Sequence, residues 1–579
     1  MKVIPIFIPH AGCPYRCVYC DQHRISGSVS APTLKEMHSV IRRNLRTMAE
    51  DERKEVAFFG GTFTFLPDRL QEKYLEAAFS YVKKGIIHGI RMSTHPEAVS
   101  DKSMKRFKRK GGCSVELGVQ SLDRAVLKKI KRETSLKAVR RASRCIRKAG
   151  LELGVQIMLG LPGDTIKKSI QTVKTLIELK PETARIYPAL VLRGTELEHY
   201  LRSGKYRPLS LDEAIEWAAE ISDIFENSGV KVIRIGLHPS KALDSAKAVL
   251  GGPYHPAFGE MVRSRQMRNK IRDIVKDKYV PNRSHIEIQA PKDMFSFISG
   301  HKAAEKEFLE KCFSVRILYK GNEKRLGDPC HRVEKRIKIK DVRRDIALVD
   351  PRMPLEAKDR LKRLNYYVAE APLHDKLQGP VKGHVDMMLF KYKNRIIYEP
   401  SLEGIAALLA QNGYKCLKGE GIVSAVYPED IIYNACNIDG YIIHYKGRME
   451  KGLKQFKCKY IAVTQGYTKC SIVPVDKKRI ITSDRKIKDT WERNEGEALL
   501  VEPGHVKLPG YKTGFIGGSS GVDDRFVFFV GKLDSHPDGR AMRDFIRSSG
   551  KDIIELYNGP LYDVGTVYLF KTKSRTIDF

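Results

Sequence analysis

Membrane-spanning material is missing from this sequence. No apolar run approaches the roughly 18 residues that a transmembrane helix needs, so no membrane span is expected. The start has no basic stretch followed by an apolar segment and a small-residue cleavage site, so no secretion signal is expected either. Acidic residues are in deficit: 69 Asp plus Glu face 104 Lys plus Arg, a formal net charge of +35. A field of that sign attracts polyanions, which makes nucleic acid the first partner to consider, against the alternative of a Lys-rich solvated surface. A disulfide framework is also missing. The 11 cysteines are scattered and odd in number, which suits a reducing cytosol and leads us to expect a cytoplasmic protein. At 42% hydrophobic and 30% charged, the composition is that of a globular protein, and 579 residues are too many for one core, so about two to four domains are expected.

The most informative stretch is Cys13-Pro14-Tyr15-Arg16-Cys17-Val18-Tyr19-Cys20. It follows the β-branched run Val3 to Ile8, which reads as a strand broken by Pro9 and Gly12. Three thiolates on one short loop can converge on a soft metal centre. An iron–sulfur cubane held by three of them keeps one iron open to a small molecule. The alternative is a zinc site completed by His10 or His23, although structural zinc usually wants two paired knuckles and only one is present. Downstream, strand and helix patterns alternate with short links: Glu55 to Phe59, Leu70 to Val82, Gly89 to Thr94, Asp101 to Arg109, Ser114 to Val119, Leu153 to Leu159, Thr183 to Leu190 and Val230 to Leu237. That alternation predicts a parallel sheet with ligand groups at the carboxyl ends of its strands. Gly60-Gly61 ends the second strand, where a glycine pair lets the backbone approach a ligand or simply makes a turn.

Further short motifs follow in order: Phe58-Phe59-Gly60-Gly61-Thr62-Phe63, Ser93-Thr94-His95-Pro96-Glu97, Glu116-Leu117-Gly118-Val119-Gln120-Ser121, and the Met158 to Thr165 turn with Gly160 and Gly163. With the cysteine loop and Arg185-Ile186-Tyr187-Pro188, they make the first half resemble the radical SAM superfamily, in the branch containing the catalytic subunit of the elongator complex. The resemblance implies an α/β fold, a partial (β/α)6-type barrel over residues 1–262. It implies a [4Fe-4S] cluster on Cys13, Cys17 and Cys20. It also implies S-adenosyl-L-methionine, with Tyr19 packed on the adenine and Gly60, Gly61 and Thr62 at the amino group, Thr62 standing where an acidic residue is frequent. Glu116 and Gln120 would face the cofactor's ribose and carboxylate, with Ser93 beside them at a strand end; alternatively Glu116 pairs with a core Arg or Lys. His95 replaces a frequent arginine, and Tyr254 and His255 would close the barrel's open side or form a packed turn. The implied chemistry is reductive cleavage of the cofactor to a 5′-deoxyadenosyl radical that abstracts hydrogen from an RNA substrate such as tRNA. An electron donor such as flavodoxin or ferredoxin would supply the electron. No stretch resembles the acyltransferase domain of the uridine-modifying relatives.

Residues 263–345 read as a basic α+β segment. Phe295 to Ile298, the turn Ser299-Gly300-His301-Lys302-Ala303 and Glu305 to Lys311 are similar to a KH-type RNA module whose second glycine has become Ala303; a basic linker subdomain is the alternative. Over residues 346–579 a unit of two strands, a helix and a third strand recurs with a period of roughly 45 residues. Five such units form an α/β repeat domain that resembles a pentein propeller, and Gly383-His384-Val385-Asp386 matches that family's Gly-His-x-Asp. The resemblance implies an acid/base at His384 and a guanidinium-gripping carboxylate at Asp386. The last unit carries Gly517-Gly518-Ser519-Ser520-Gly521 with no nucleophilic cysteine, and Cys470 lies in another unit, so a non-catalytic or differently catalytic module is favoured; the alternative is a bifunctional small-molecule enzyme whose C-terminal half binds a guanidinium-type ligand.

Overall fold

The computed structural model describes residues 2–8, 13, 15–21, 30–49, 52–237, 243, 248–275, 280–321 and 337–578. These fall into two compact units, one of residues 1–273 and 293–307, the other of 274–292 and 308–579.

The first unit is built on seven parallel strands in sequential order: β1 (Lys2–Phe7), β2 (Lys54–Phe59), β3 (Gly89–Thr94), β4 (Gly112–Gln120), β5 (Glu152–Leu159), β6 (Thr183–Pro188) and β7 (Lys231–Ile235). Parallel strands are covered on both faces, so they read as apolar runs rather than as alternations. Five of the six residues of Lys54-Glu55-Val56-Ala57-Phe58-Phe59 are buried accordingly. Helices return the chain between strands. The helix Leu136–Lys148 shows why: Ser135 caps its start, Val139, Ala142 and Ile146 recur at helical spacing and are buried, and the arginines between them face out. The expected partial barrel is thus present, with a seventh strand added at its edge.

The second unit holds five three-stranded sheets and one four-stranded sheet. In four of the five, the first two strands form an antiparallel hairpin and the third returns parallel to the second. They are Leu389–Tyr392, Arg395–Tyr398 and Lys415–Lys418; Cys436–Ile438, Tyr441–Tyr445 and Lys459–Val463; Ile472–Pro474, Arg479–Thr482 and Glu497–Leu500; Ser520–Val522, Phe526–Phe529 and Asp552–Glu555. The remaining sheet joins chain ends. Ile346–Val349 pairs parallel with Tyr367–Glu370 and antiparallel with Tyr568–Phe570, so the last repeat supplies the strand that the first one lacks. First strands of successive sheets pack side by side, and the Tyr568 hydroxyl donates to Leu389 O at 3.2 Å, which closes the five into a ring. The four-stranded sheet takes in Arg283–Ala290, Arg316–Gly321, Lys338–Arg343 and Arg575–Asp578. The helical turn of the basic segment, Phe295–Ser299 with His301–Ala303, belongs to the first unit, while its flanking strands belong to the second.

Candidate functional site

The cysteine loop leaves the carboxyl end of β1. Val18 N–H donates to Ile130 O at 3.2 Å, Leu197 N–H to Val18 O at 2.8 Å and Cys20 N–H to Cys17 O at 3.0 Å, so the loop is tied to two neighbouring segments. Cys17 is buried, and Cys13 and Cys20 are part-buried. A cation that the sequence reading missed stands beside them: Arg132 donates from Nη1 to Cys17 Sγ at 3.6 Å and from Nη2 to Gly118 O. Lys131, in a left-handed conformation just after the helix Arg124–Lys129, turns the chain so that Arg132 points inward. Tyr19 is buried against the same group, and burial pushes its phenol well up. Among the described residues, no three His, Cys, Asp or Glu side chains are gathered tightly enough to enclose a metal ion. The donor chemistry is what fits: three soft thiols within eight residues, in the field of a guanidinium, suit an iron–sulfur cluster. His10 and His23, the zinc alternatives, lie outside the described residues.

The other candidates gather at the same end of the sheet. Gly60 has φ +102°, and a Cβ there would meet Ile8 N and O at 3.3 Å, so the β2 turn passes close to the chain leaving β1. Gly61 and Thr62 follow, Thr62 buried at the start of a short 3-10 turn. Ser93 is next to last in β3, with its hydroxyl 3.4 Å from Glu116 Oε2. Glu116 is held by two arginines: Arg91 Nη1 lies 3.1 Å from Oε1, and Arg185 Nε lies 2.9 Å from Oε2. Arg91 also pairs with Glu55 at 2.8 Å, and all three side chains are buried. Pairing with a core arginine, the alternative for Glu116, is therefore what the geometry displays. Gln120 takes φ +70° at the end of β4 and accepts from Gln156 Nε2 at 3.3 Å. His95 is buried beneath Tyr15, ring centroids 4.6 Å apart, and burial first and Arg132 second pull its imidazole down to about 3. A neutral His95 accepts from Glu97 N–H and bonds Thr134 Oγ1. Asp164 accepts from Gly160 N–H and Ser169 Oγ, while Thr165 caps the next helix, so that turn is structural. His255 packs against His301, centroids 5.2 Å apart.

In the second unit, the segments leading into the first strands of the sheets meet around His384. Its Nε2 lies 4.0 Å from Asp350 Oδ2 and its Nδ1 lies 3.9 Å from Asp563 Oδ1. Asp386 Oδ2 accepts from Thr566 Oγ1 at 2.8 Å and from Cys470 Sγ at 3.2 Å. Gly565, at φ +65°, packs so closely that a Cβ would come within 2.3 Å of His384 Cβ. His384 Nδ1 and Asp386 Oδ1 are buried without a hydrogen-bond partner. Cys470 is thus brought to Asp386 from another unit, but burial, then Asp386 and Asp563, push its thiol well up. A thiol kept protonated is a poor nucleophile, which accords with a non-catalytic reading. Asp350, Asp563 and Thr566 escaped the sequence reading because they lie up to about 180 residues from Asp386, and only ring closure brings them there.

Residues 7–176 match the family model described as the radical SAM superfamily, and residues 181–268 match the radical SAM C-terminal domain. Residues 348–568 match a family of unknown function, DUF6873. A tRNA uridine(34) acetyltransferase of Methanocaldococcus infernus is 34% identical over 128 residues, 22% of this chain and 24% of that protein. The chain therefore spans about a quarter of that relative's length. An uncharacterized protein of Methanocaldococcus jannaschii is 26% identical over 250 residues, 41% of this chain and 75% of that protein. Among solved structures, the archaeal Elp3 of Methanocaldococcus infernus aligns over 48% of this chain and 66% of its own, with 21% identity and a TM-score of 0.39. A [4Fe-4S] cluster and S-adenosylmethionine are the cofactors of the matched superfamily. Sequence motifs, parallel barrel and family models agree that residues 7–268 are similar to the radical SAM superfamily and its C-terminal domain, and that residues 348–568 are similar to the family of unknown function.

Proposed function

We propose that the chain is a radical SAM enzyme that modifies RNA, with tRNA as the substrate class. The observation that carries this reading is the three-thiol loop at the carboxyl end of a seven-stranded parallel sheet, beside Arg132. When bound, a [4Fe-4S] cluster and S-adenosylmethionine supply one-electron cleavage of the cofactor and a radical able to take hydrogen from substrate. Cys13, Cys17 and Cys20 would hold the cluster. The Gly60-Gly61-Thr62 turn would offer backbone carbonyls to an ammonium, with Tyr19, Ser93 and Gln120 as the further residues to face the cofactor. Arg91 and Arg185 fix Glu116 in one orientation and keep its charge compensated inside the barrel. The net charge of +35 supports a polyanionic substrate, and the tRNA-modifying relatives point to the same class. A small electron-transfer protein such as flavodoxin or ferredoxin would deliver the electron.

The test is anaerobic reconstitution with iron and sulfide, then incubation with S-adenosylmethionine, dithionite and bulk tRNA, following 5′-deoxyadenosine by mass. Formation that rises with added tRNA supports the proposal. A reconstituted protein that binds zinc in place of iron, or whose cleavage ignores RNA, sinks the enzymatic or the RNA part respectively.

A further inference from the structure

The ring of the second unit holds an open pocket of about 400 Å³ that the function proposed above does not use. Its lining includes Lys391, Lys393, Lys469, Asn437, Asp439 and Thr566. Lys469 is buried, 8% exposed. Its ammonium reaches only neutral acceptors, Thr566 Oγ1 at 3.3 Å and Ile472 O at 3.4 Å. No ion pair to Lys469 is found among the described residues. Lys391 is held in a similar way: Nζ donates to Leu569 O at 2.6 Å and stands 4.9 Å from the centre of the Phe570 ring. Burial pulls its ammonium down to about 8, against the opposing pull of Asp524 and Asp345.

A buried ammonium without a counter-ion is costly, and the cost falls when an anion arrives. Charge inside and outside the cavity differs in the way this requires. Inside, three lysines face a single carboxylate, Asp439. The adjoining space shares Lys391 and Asp439 with it, and there Asp345, Asp476, Asp523 and Asp524 offset Lys477, Lys551 and Lys571. The positive excess therefore belongs to the interior. The Asn437 amide, whose Oδ1 has no hydrogen-bond partner, adds a polar group to the wall. The volume suits a metabolite-sized molecule and excludes a folded polymer.

We propose that this cavity is a binding site for a small oxyanion, a carboxylate or phosphate-bearing metabolite, with Lys469 and Lys391 as its charge partners. The site is independent of the cluster and of the barrel's substrate. The test uses the full chain, freed of phosphate and organic acids, in thermal-shift and calorimetric titrations with inorganic phosphate and, separately, succinate at constant ionic strength set by chloride. At least one probe should raise the melting temperature saturably. Lys391→Met and Lys469→Met should each weaken that response by about tenfold or more, while Lys454→Met, on an exposed turn, leaves it unchanged. A response to phosphate alone assigns a phosphoryl ligand, and one to succinate alone assigns a carboxylate. The proposal is overturned if neither probe acts beyond chloride, or if the response persists in Lys391→Met. That variant, the less buried of the two, decides the matter should Lys469→Met fail to fold.

Discussion

In the barrel, buried charges are matched: Arg91 lies between Glu55 and Glu116, and Arg185 takes the second oxygen of Glu116. In the ring, pairing is looser: His384 stands 3.9–4.0 Å from Asp563 and Asp350, Asp386 Oδ1 has no hydrogen-bond partner, and Lys469 meets only neutral oxygens. A matched network fixes a scaffold around a site, whereas uncompensated groups in a low-dielectric interior are themselves the features that a ligand would satisfy. The same contrast holds for sulfur. Cys17 in the barrel lies 3.6 Å from the Arg132 guanidinium, while Cys470 lies beside a carboxylate that, with burial, keeps its thiol protonated.

The sharpest way to break this comparison is Cys17→Ala. It should abolish the brown colour, the iron content and cofactor cleavage together; retention of full iron content would show that the loop does not hold the cluster. Next in size is Arg91→Ala, which removes the cation shared by two buried carboxylates. It should destabilise the barrel by about 3–5 kcal/mol in denaturant unfolding. A loss within experimental error would mean that the matched network is not what fixes the scaffold.

A smaller effect separates the units by pH. His95 is depressed in the fold, so its contribution is fully present above the unfolded value near 6.5 and is lost as the pH falls towards about 3. At pH 5 that loss is about 2 kcal/mol. His536 in the ring, depressed by burial and opposed by Asp538, contributes with the same sign. Asp341, lowered in the fold by hydrogen bonds from Arg283 and Arg343 that outweigh its burial, loses its contribution only below the unfolded value near 3.9. Melting curves at pH 7.5 and 5 should therefore show an acid sensitivity of the barrel that His95→Gln removes. An unchanged profile in that variant would assign the sensitivity elsewhere. The smallest effect is expected at Cys470. Iodoacetamide at pH 8 should leave it unmodified in the folded apoprotein while alkylating Cys13 and Cys20, as peptide mass mapping would show. Modification of Cys470 at the rate of the loop thiols would contradict a protonated, enclosed thiol.

Much of the barrel was legible because its evidence is local. Cys13, Cys17 and Cys20 lie within eight residues, Gly60 and Gly61 end an apolar strand, and each strand–helix step declares its own period. Arg132 was not legible: nothing in its neighbourhood marks it, and it reaches Cys17 across 115 residues of chain. The ring was legible as a repeat but not as a closed object. Ile346 to Glu370 holds only two strands of a unit because the one in the first position, Tyr568–Phe570, comes from the far end of the chain.

Sequence by itself determined the donor set of the loop, the parallel alternation of the first half and the excess of positive charge, since each depends on residue type and short spacing. Only the tertiary structure decided which arginines hold Glu116, which thiol meets Asp386 and which lysines share a cavity. Those outcomes depend on contacts between distant segments, and their energies come from burial, which no single stretch of chain possesses until the fold closes around it.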